Sequence, residues 1–225
     1  MSAFFVTATG TEIGKTFVTA GLIRHCRAHG QAVNALKPVL SGFDAAAAAR
    51  SDAGILLDAL GQEMTRDTLD GLSPWRFAAP MSPDMAARRE NRMIDFNALL
   101  GVCRAAIAAR DGRLFIEGVG GVMVPLDTRH TVLDWIAALA LPAILVAGSY
   151  LGTISHTLTA LDALTRRGVD VRALVLNESV DATVPMDETL AALRRFAPRL
   201  SIATLSRVTA EEAAKRDFAR LAAFL

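Results

Sequence analysis

Cysteine is nearly missing from this chain: Cys26 and Cys103 are the only two in 225 residues, far apart and without metal-ligand spacing. That excludes a disulfide scaffold or a cysteine-built metal centre, and predicts two free thiols buried in helices. Excess charge of one sign is missing too. The 24 Lys and Arg nearly cancel the 23 Asp and Glu, leaving +1, so the overall balance gives no footprint for nucleic acid or an anionic membrane. The four histidines, His25, His29, His130 and His156, share no metal spacing and read as structural. Neither a Ser/His/Asp arrangement nor a Gly-x-Ser-x-Gly elbow is present. No internal repeat or linker divides the chain, and Met1-Ser2-Ala3-Phe4-Phe5 has neither a basic start nor a long apolar run, so a cytoplasmic setting is expected.

What is abundant is hydrophobicity, at 52% of residues and a mean hydropathy of +0.34. The stretch from Trp135 to Ser155 carries no charge and is about long enough to cross a bilayer. Pro142, Gly148 and Gly152 divide it, however, and Ala143 to Ala147 reads as a short buried strand following a helix. A membrane span is therefore not expected.

Apolar runs alternate with amphipathic ones. The period predicts strands at 4–7, 33–39, 114–117, 143–148, 173–177 and 201–205, and helices at 15–29, 52–60, 95–110, 132–140, 156–167 and 187–196. A last helix should open with Thr209 and Glu212 at capping-box spacing. The strands are mostly continuous apolar runs, as expected where both faces are covered. The expected fold is one α/β domain over residues 1–225, a mostly parallel sheet with helices on both faces and the architecture of a phosphate-loop NTPase. Ligands in such folds bind at the carboxyl ends of the strands. Residues 61–92 break the rhythm: Pro74, Pro80 and Pro83 predict a long irregular connection, either functional or a surface excursion capping the core.

The run Thr7-Ala8-Thr9-Gly10-Thr11-Glu12-Ile13-Gly14-Lys15-Thr16 follows the first strand and opens the first helix. In that context free backbone N–H groups face an anion, a lysine reaches the outer phosphates, and the threonine hydroxyl can ligate Mg²⁺. The common pattern places glycine five positions before Gly14, with four residues between, where this chain has Thr9. Glu117 ends an apolar strand and runs into Gly118-Val119-Gly120-Gly121, the place of a metal-holding acid. Asp52 opens a helix beside Ser51, and reads either as part of an N-cap or as a second such acid. Lys37, inside an apolar run, must snorkel or meet an anion, and Ser41-Gly42 just beyond suggests an anion contact.

In order and spacing these segments resemble the dethiobiotin synthetase family over nearly the whole chain. The resemblance is carried by Thr11 to Thr16, Leu36 to Gly42, Ser51-Asp52-Ala53, Phe77 to Pro83, Phe115 to Gly121, Asp134-Trp135 and Gly148 to His156. It implies a ligase of biotin biosynthesis that joins 7,8-diaminopelargonate and CO₂ with ATP and Mg²⁺. Carried over by position, Lys15 and Lys37 would be catalytic, and Thr16, Asp52 and Glu117 would hold magnesium. ATP would be bound by Glu12, Ile13, Gly14, Lys15, Thr16 and Phe17, by Asp52, Glu117, Gly118, Val119 and Gly120, and by Asn177 and Glu178 near the base. Thr11 and Ser41 would lie near the substrate, and a homodimer would build the site, with residues 150–154 reaching the partner's substrate. Ala8 stands where the family usually has glycine, Gly10 where an acid is common, and no proline follows the last strand. Another phosphate-loop ATPase of this deviant group, an amidoligase or a partition-type switch, and a non-catalytic ATP-binding module remain the alternatives at this point.

Overall fold

The computed structural model describes every residue except 1, 181, 183 and 208–210, with the backbone alone at 211–214. Strand β1 (Ala3–Ala8) is followed by α1 (Lys15–Ala28), β2 (Val33–Leu36), β3 (Val39–Ser41), a 3-10 turn (Ala45–Arg50), α2 (Asp52–Leu60) and α3 (Arg66–Leu72). Next come β4 (Trp75–Phe77), α4 (Pro83–Arg89), α5 (Phe96–Ala109), β5 (Arg113–Glu117), α6 (Val132–Leu139) and β6 (Ala143–Gly148). The chain closes with α7 (Thr153–Arg166), β7 (Val171–Asn177), α8 (Met186–Phe196), β8 (Ile202–Leu205) and α9 (Glu211–Ala222).

Six strands form one sheet in the order β2-β5-β1-β6-β7-β8, every neighbour parallel. All six residues of β1 are buried, which is why it reads as an unbroken apolar run. Its side chains nevertheless divide between two cores: Phe5 joins Leu114, Ile116 and Leu145 on one face, while Phe4 and Val6 join Phe115, Ile144 and Val146 on the other. Helices α4 to α8 cover the first face, and α1, α2 and α9 the second. The first core is pinned by an edge-on contact of Phe5 with Trp135, ring centroids 4.8 Å apart. Because β5 lies to one side of β1 and β6 to the other, the loop after β1 opens at the point where strand order reverses, the place such sheets keep their ligand crevice.

Local chemistry sets the helix ends. Ser51 Oγ accepts from Gly54 N at 3.2 Å to start α2, which stops at left-handed Gly61. Thr131 and Asp134 form a reciprocal capping box on α6. The uncharged stretch resolves into most of α6, a stop at Ala140 (φ 51), buried β6 and the opening of α7. Among the described residues no helix is long and apolar enough to cross a membrane. Both cysteines are free and buried, Cys26 in α1 and Cys103 in α5. The proposed cap pairing of Thr209 with Glu212 lies outside the described residues.

Two expectations are corrected. Residues 61–92 are not irregular: they hold α3, β4 and α4, and β4 pairs in parallel with β3, Val39 opposite Trp75 and Ser41 opposite Phe77. The prolines punctuate these elements rather than prevent them, Pro83 occupying the first turn of α4, where its missing N–H costs nothing. The segment 33–39 is also not one strand. It leaves the main sheet after Leu36, Lys37 N donates to Leu72 O at 2.9 Å, and Pro38, which has no N–H to give, accepts from Trp75 N at 2.9 Å.

Candidate active site

The loop after β1 is fixed from below and from the side. Thr9 N donates to Val146 O at 2.9 Å, the last tie to the sheet. The chain then passes through left-handed turns at Glu12 (φ 59) and Gly14 (φ 100) before α1 begins. At Gly14 an added Cβ would collide with the Asn177 amide, so backbone angle and space both demand glycine. Asn177 Nδ2, at the end of β7, donates to Ile13 O at 3.0 Å and braces the loop. Lys15 turns back to donate to Gly10 O at 3.1 Å. Burial, and then the neighbouring charge of Lys37, lower its pKa to about 8, although Glu117 and Asp52 pull the other way.

Beneath the loop, charged groups from three segments meet. Glu117, the last residue of β5, is fully buried and Lys37 is 1% exposed. Lys37 Nζ donates to Glu117 Oε1 at 2.8 Å and to Gly118 O at 2.6 Å, and pairs with Asp52 Oδ2 at 3.3 Å. Burial by itself would depress this ammonium, but Glu117 and Asp52 outweigh it and raise the pKa. Burial likewise opposes the Asp52 carboxylate, and Lys37 with Thr16 overcomes it and lowers the pKa. Ser51 caps α2, leaving Asp52 as its first residue with its carboxylate on Lys37. Thr16 Oγ1 donates to the same Glu117 Oε1 at 2.8 Å.

Glu117 Oε2, by contrast, is buried with no hydrogen-bond partner. A carboxylate oxygen without a partner is costly in the interior. Together with a second carboxylate and a threonine hydroxyl on the same cluster, it supplies the hard oxygen donors that Mg²⁺ takes. The residues present therefore fit that ion.

A cleft of about 660 Å³ opens above this cluster. Thr11, Glu12, Gly14, Lys15 and Thr16 form one wall, Lys37, Ser41 and Asp52 another, and Val119 and Gly120 a third. Ser41 Oγ is buried and unpartnered there. Glu117 and Gly118 reach the cleft through Lys37. Ile13 and Asn177 support the loop from outside it. Phe17 and Glu178 are not brought in: the Phe17 ring packs on Phe218 at 5.6 Å, and Glu178 Oε2 accepts from Arg207 N at 2.7 Å. The residue reading did not assign Pro80 to Pro83, which close the fourth side. Gly42 N donates to Ala79 O at 3.1 Å and delivers that loop to the cleft. The signal was the Pro-rich run itself. A larger cavity of about 730 Å³, between α4, the start of α5 and residues 126–130, contains none of these groups.

Parallel sheet, strand-to-helix loop, buried lysine and paired acids define a phosphate-loop NTPase-like protein. Solved structures agree on the fold: the cell division ATPase MinD of Pyrococcus furiosus superposes with a TM-score of 0.58 at 12% identity, covering all of both chains. MinD from Pyrococcus horikoshii, a complex with Mg-ADP, does so with a TM-score of 0.57 at 15% identity, over 96% of this chain and 86% of that one. A family model described as an AAA domain matches residues 2–214. Sequence relatives are more specific. The ATP-dependent dethiobiotin synthetase BioD of Acidiphilium cryptum is 54% identical over 87% of this chain and 88% of its own length. BioD of Methylobacterium nodulans is 47% identical over 88% and 90%. The chain belongs to the dethiobiotin synthetase family of ATP-dependent ligases.

Proposed function

We propose that the protein closes a cyclic urea on 7,8-diaminopelargonate, using CO₂ and ATP, to give dethiobiotin, ADP and phosphate. The observation that carries this reading is the buried Lys37, Asp52 and Glu117 cluster, set between a phosphate loop and an unpartnered Ser41 in one cleft. One substrate amine adds to CO₂ and loses a proton to form a carbamate. A carbamate oxygen attacks the γ-phosphorus of ATP, ADP leaves, and a carbamic-phosphoric anhydride results. The second amine then attacks the carbonyl carbon and expels phosphate. Every nucleophile belongs to the substrate, so the protein's work is to orient groups and to stabilise charge, and no triad is needed.

Lys15 and the loop N–H groups hold the phosphates, and Lys37 stabilises the carbamate and its phosphorylated form. Thr16, Asp52 and Glu117 are the residues that would hold magnesium. When bound, the ion supplies charge neutralisation at the β- and γ-phosphates. Thr11 and Ser41 face the diamine, and Asn177, at the end of β7, lies towards the base. A homodimer completes the site in this reading. It is supported by large apolar side chains exposed on three successive loops of the carboxyl edge: Met123 after β5, Leu151 after β6 and Val180 after β7, at 60%, 80% and 72%. Two unpaired thiols suit a reducing cytoplasm.

Purified protein with ATP, Mg²⁺, bicarbonate and the diamine should release phosphate and ring product, followed by mass spectrometry. ATP turnover stimulated by DNA or lipid but not by the diamine would overturn the reading in favour of a partition-type switch, and ATP binding without turnover would favour a non-catalytic module.

A further inference from the structure

The same two carboxylates that are assigned to magnesium already carry a cation of the chain's own. Lys37 Nζ lies 2.8 Å from Glu117 Oε1 and 3.3 Å from Asp52 Oδ2, and its third contact, Gly118 O at 2.6 Å, leaves each of its three protons with an acceptor. Lys37 and Glu117 are both buried, so water screens neither charge. Thr16 Oγ1 also spends its proton on Glu117 Oε1. A divalent ion drawn to these oxygens therefore meets a like charge already fixed on them, in a place of low dielectric where repulsion is strong.

We propose that Lys37 and the divalent cation compete for the Asp52 and Glu117 pair, so that metal entry with the nucleotide expels the Lys37 ammonium into the cleft. Lys37 and Ser41 both line that cleft, and the flexible stem of a lysine permits the swing. The exchange makes one event of loading the metal and arming the lysine. Before it, the ammonium is occupied by protein acceptors. After it, the ammonium is available to the anionic carbamate and to phosphate oxygens. The inference rests on the reading of Thr16, Asp52 and Glu117 as the magnesium-holding residues.

The test measures Mn²⁺ binding to the full chain by electron paramagnetic resonance, with and without ADP, for the wild type, Lys37→Met and Glu117→Gln. Without nucleotide, Lys37→Met should bind Mn²⁺ roughly tenfold more tightly than the wild type, since one like charge has gone. With ADP the gap should shrink, because the wild-type lysine has then left. Equal affinities for wild type and Lys37→Met without nucleotide would overturn the competition while leaving the metal assignment intact. Unchanged Mn²⁺ binding by Glu117→Gln in the presence of ADP would remove the metal assignment, and the competition with it. Should Lys37→Met fail to fold, ¹⁵N-lysine-labelled wild type gives the second readout. Its Lys37 ammonium resonance, assigned by its loss in Lys37→Arg, should shift on adding Mg²⁺ and ADP together, and an unmoved resonance overturns the proposal.

Discussion

At the scale of single residues, two lysines share one site but differ in what restrains them. Lys15 has one carbonyl partner and a pKa lowered to about 8, first by burial and then by Lys37, whereas Lys37 is held by two carboxylates and its pKa is raised. Lys37→Ala should keep nucleotide binding and lose turnover by about 10²–10³-fold, while Lys15→Ala should weaken nucleotide binding as well. Titration calorimetry and single-turnover assays separate the two outcomes, and wild-type turnover by Lys37→Ala would refute its role. The pH dependence follows from the direction of the Lys15 shift. Below about pH 8 its ammonium is charged with or without nucleotide, and binding takes up no proton there. Above that pH the free protein holds a neutral amine, so the polyphosphate must bring a proton with it. ATP affinity measured in EDTA should fall by up to about tenfold per pH unit above pH 8, with proton uptake visible as a dependence of the binding heat on the buffer. A flat affinity from pH 7 to 10 would contradict this assignment. Legibility at this scale was uneven. The spacing of Lys15 and Thr16 in one loop was enough to place them together at the cleft, and Lys37 meets the anions that a lysine in an apolar run needs. Phe17 and Glu178 were placed at the nucleotide by position in a family pattern, yet their side chains turn to Phe218 and to the Arg207 amide.

At the scale of elements, caps and glycines decide where the site's side chains emerge. Ser51 holds the first turn of α2 and with it the approach of Asp52 to Lys37. Ser51→Ala should cost about 1 kcal/mol in urea unfolding, and should weaken Mn²⁺-nucleotide binding beyond what that loss of stability explains. Gly14→Ala is the harsher change, because it combines a left-handed backbone with a collision against Asn177. It should abolish detectable ATP binding, and restoration by Asn177→Ala should be partial, since only the collision is relieved and the strain of roughly 1–2 kcal/mol remains. Full restoration would show that the backbone angle is not limiting. The main-sheet strands were read to within two residues except β2, whose expected span ran on past Leu36 to residue 39, and helices α3 and α4 were not read. The short pair β3 and β4 escaped, because three-residue strands bounded by proline carry too few residues to display a period.

At the scale of the whole molecule, the parallel sheet brings the ends of β1, β5, β6 and β7 to one edge, and the same edge exposes Met123, Leu151 and Val180. If a second copy covers that edge, Leu151→Asp should shift the protein from dimer to monomer in sedimentation velocity and lower turnover, while leaving the melting temperature of the separated subunit close to that of the parent. A wild type that sediments as a monomer at micromolar concentration would refute the dimer. The sequence by itself determined the phosphate loop, the buried strands, the helix caps and the absence of any charge excess, since each depends on neighbours within a few residues or on composition alone. Tertiary structure alone decided which charges meet. Lys37 finds Glu117 80 residues away and Thr16 reaches it across 101, and the loop of Pro80 to Pro83 closes the cleft through β3 and β4. Such contacts depend on where the sheet places segments distant in the chain, and no local period records that. The near-zero net charge records no such pairing, and only folding sets Lys37 against Asp52 and Glu117 in one buried cluster.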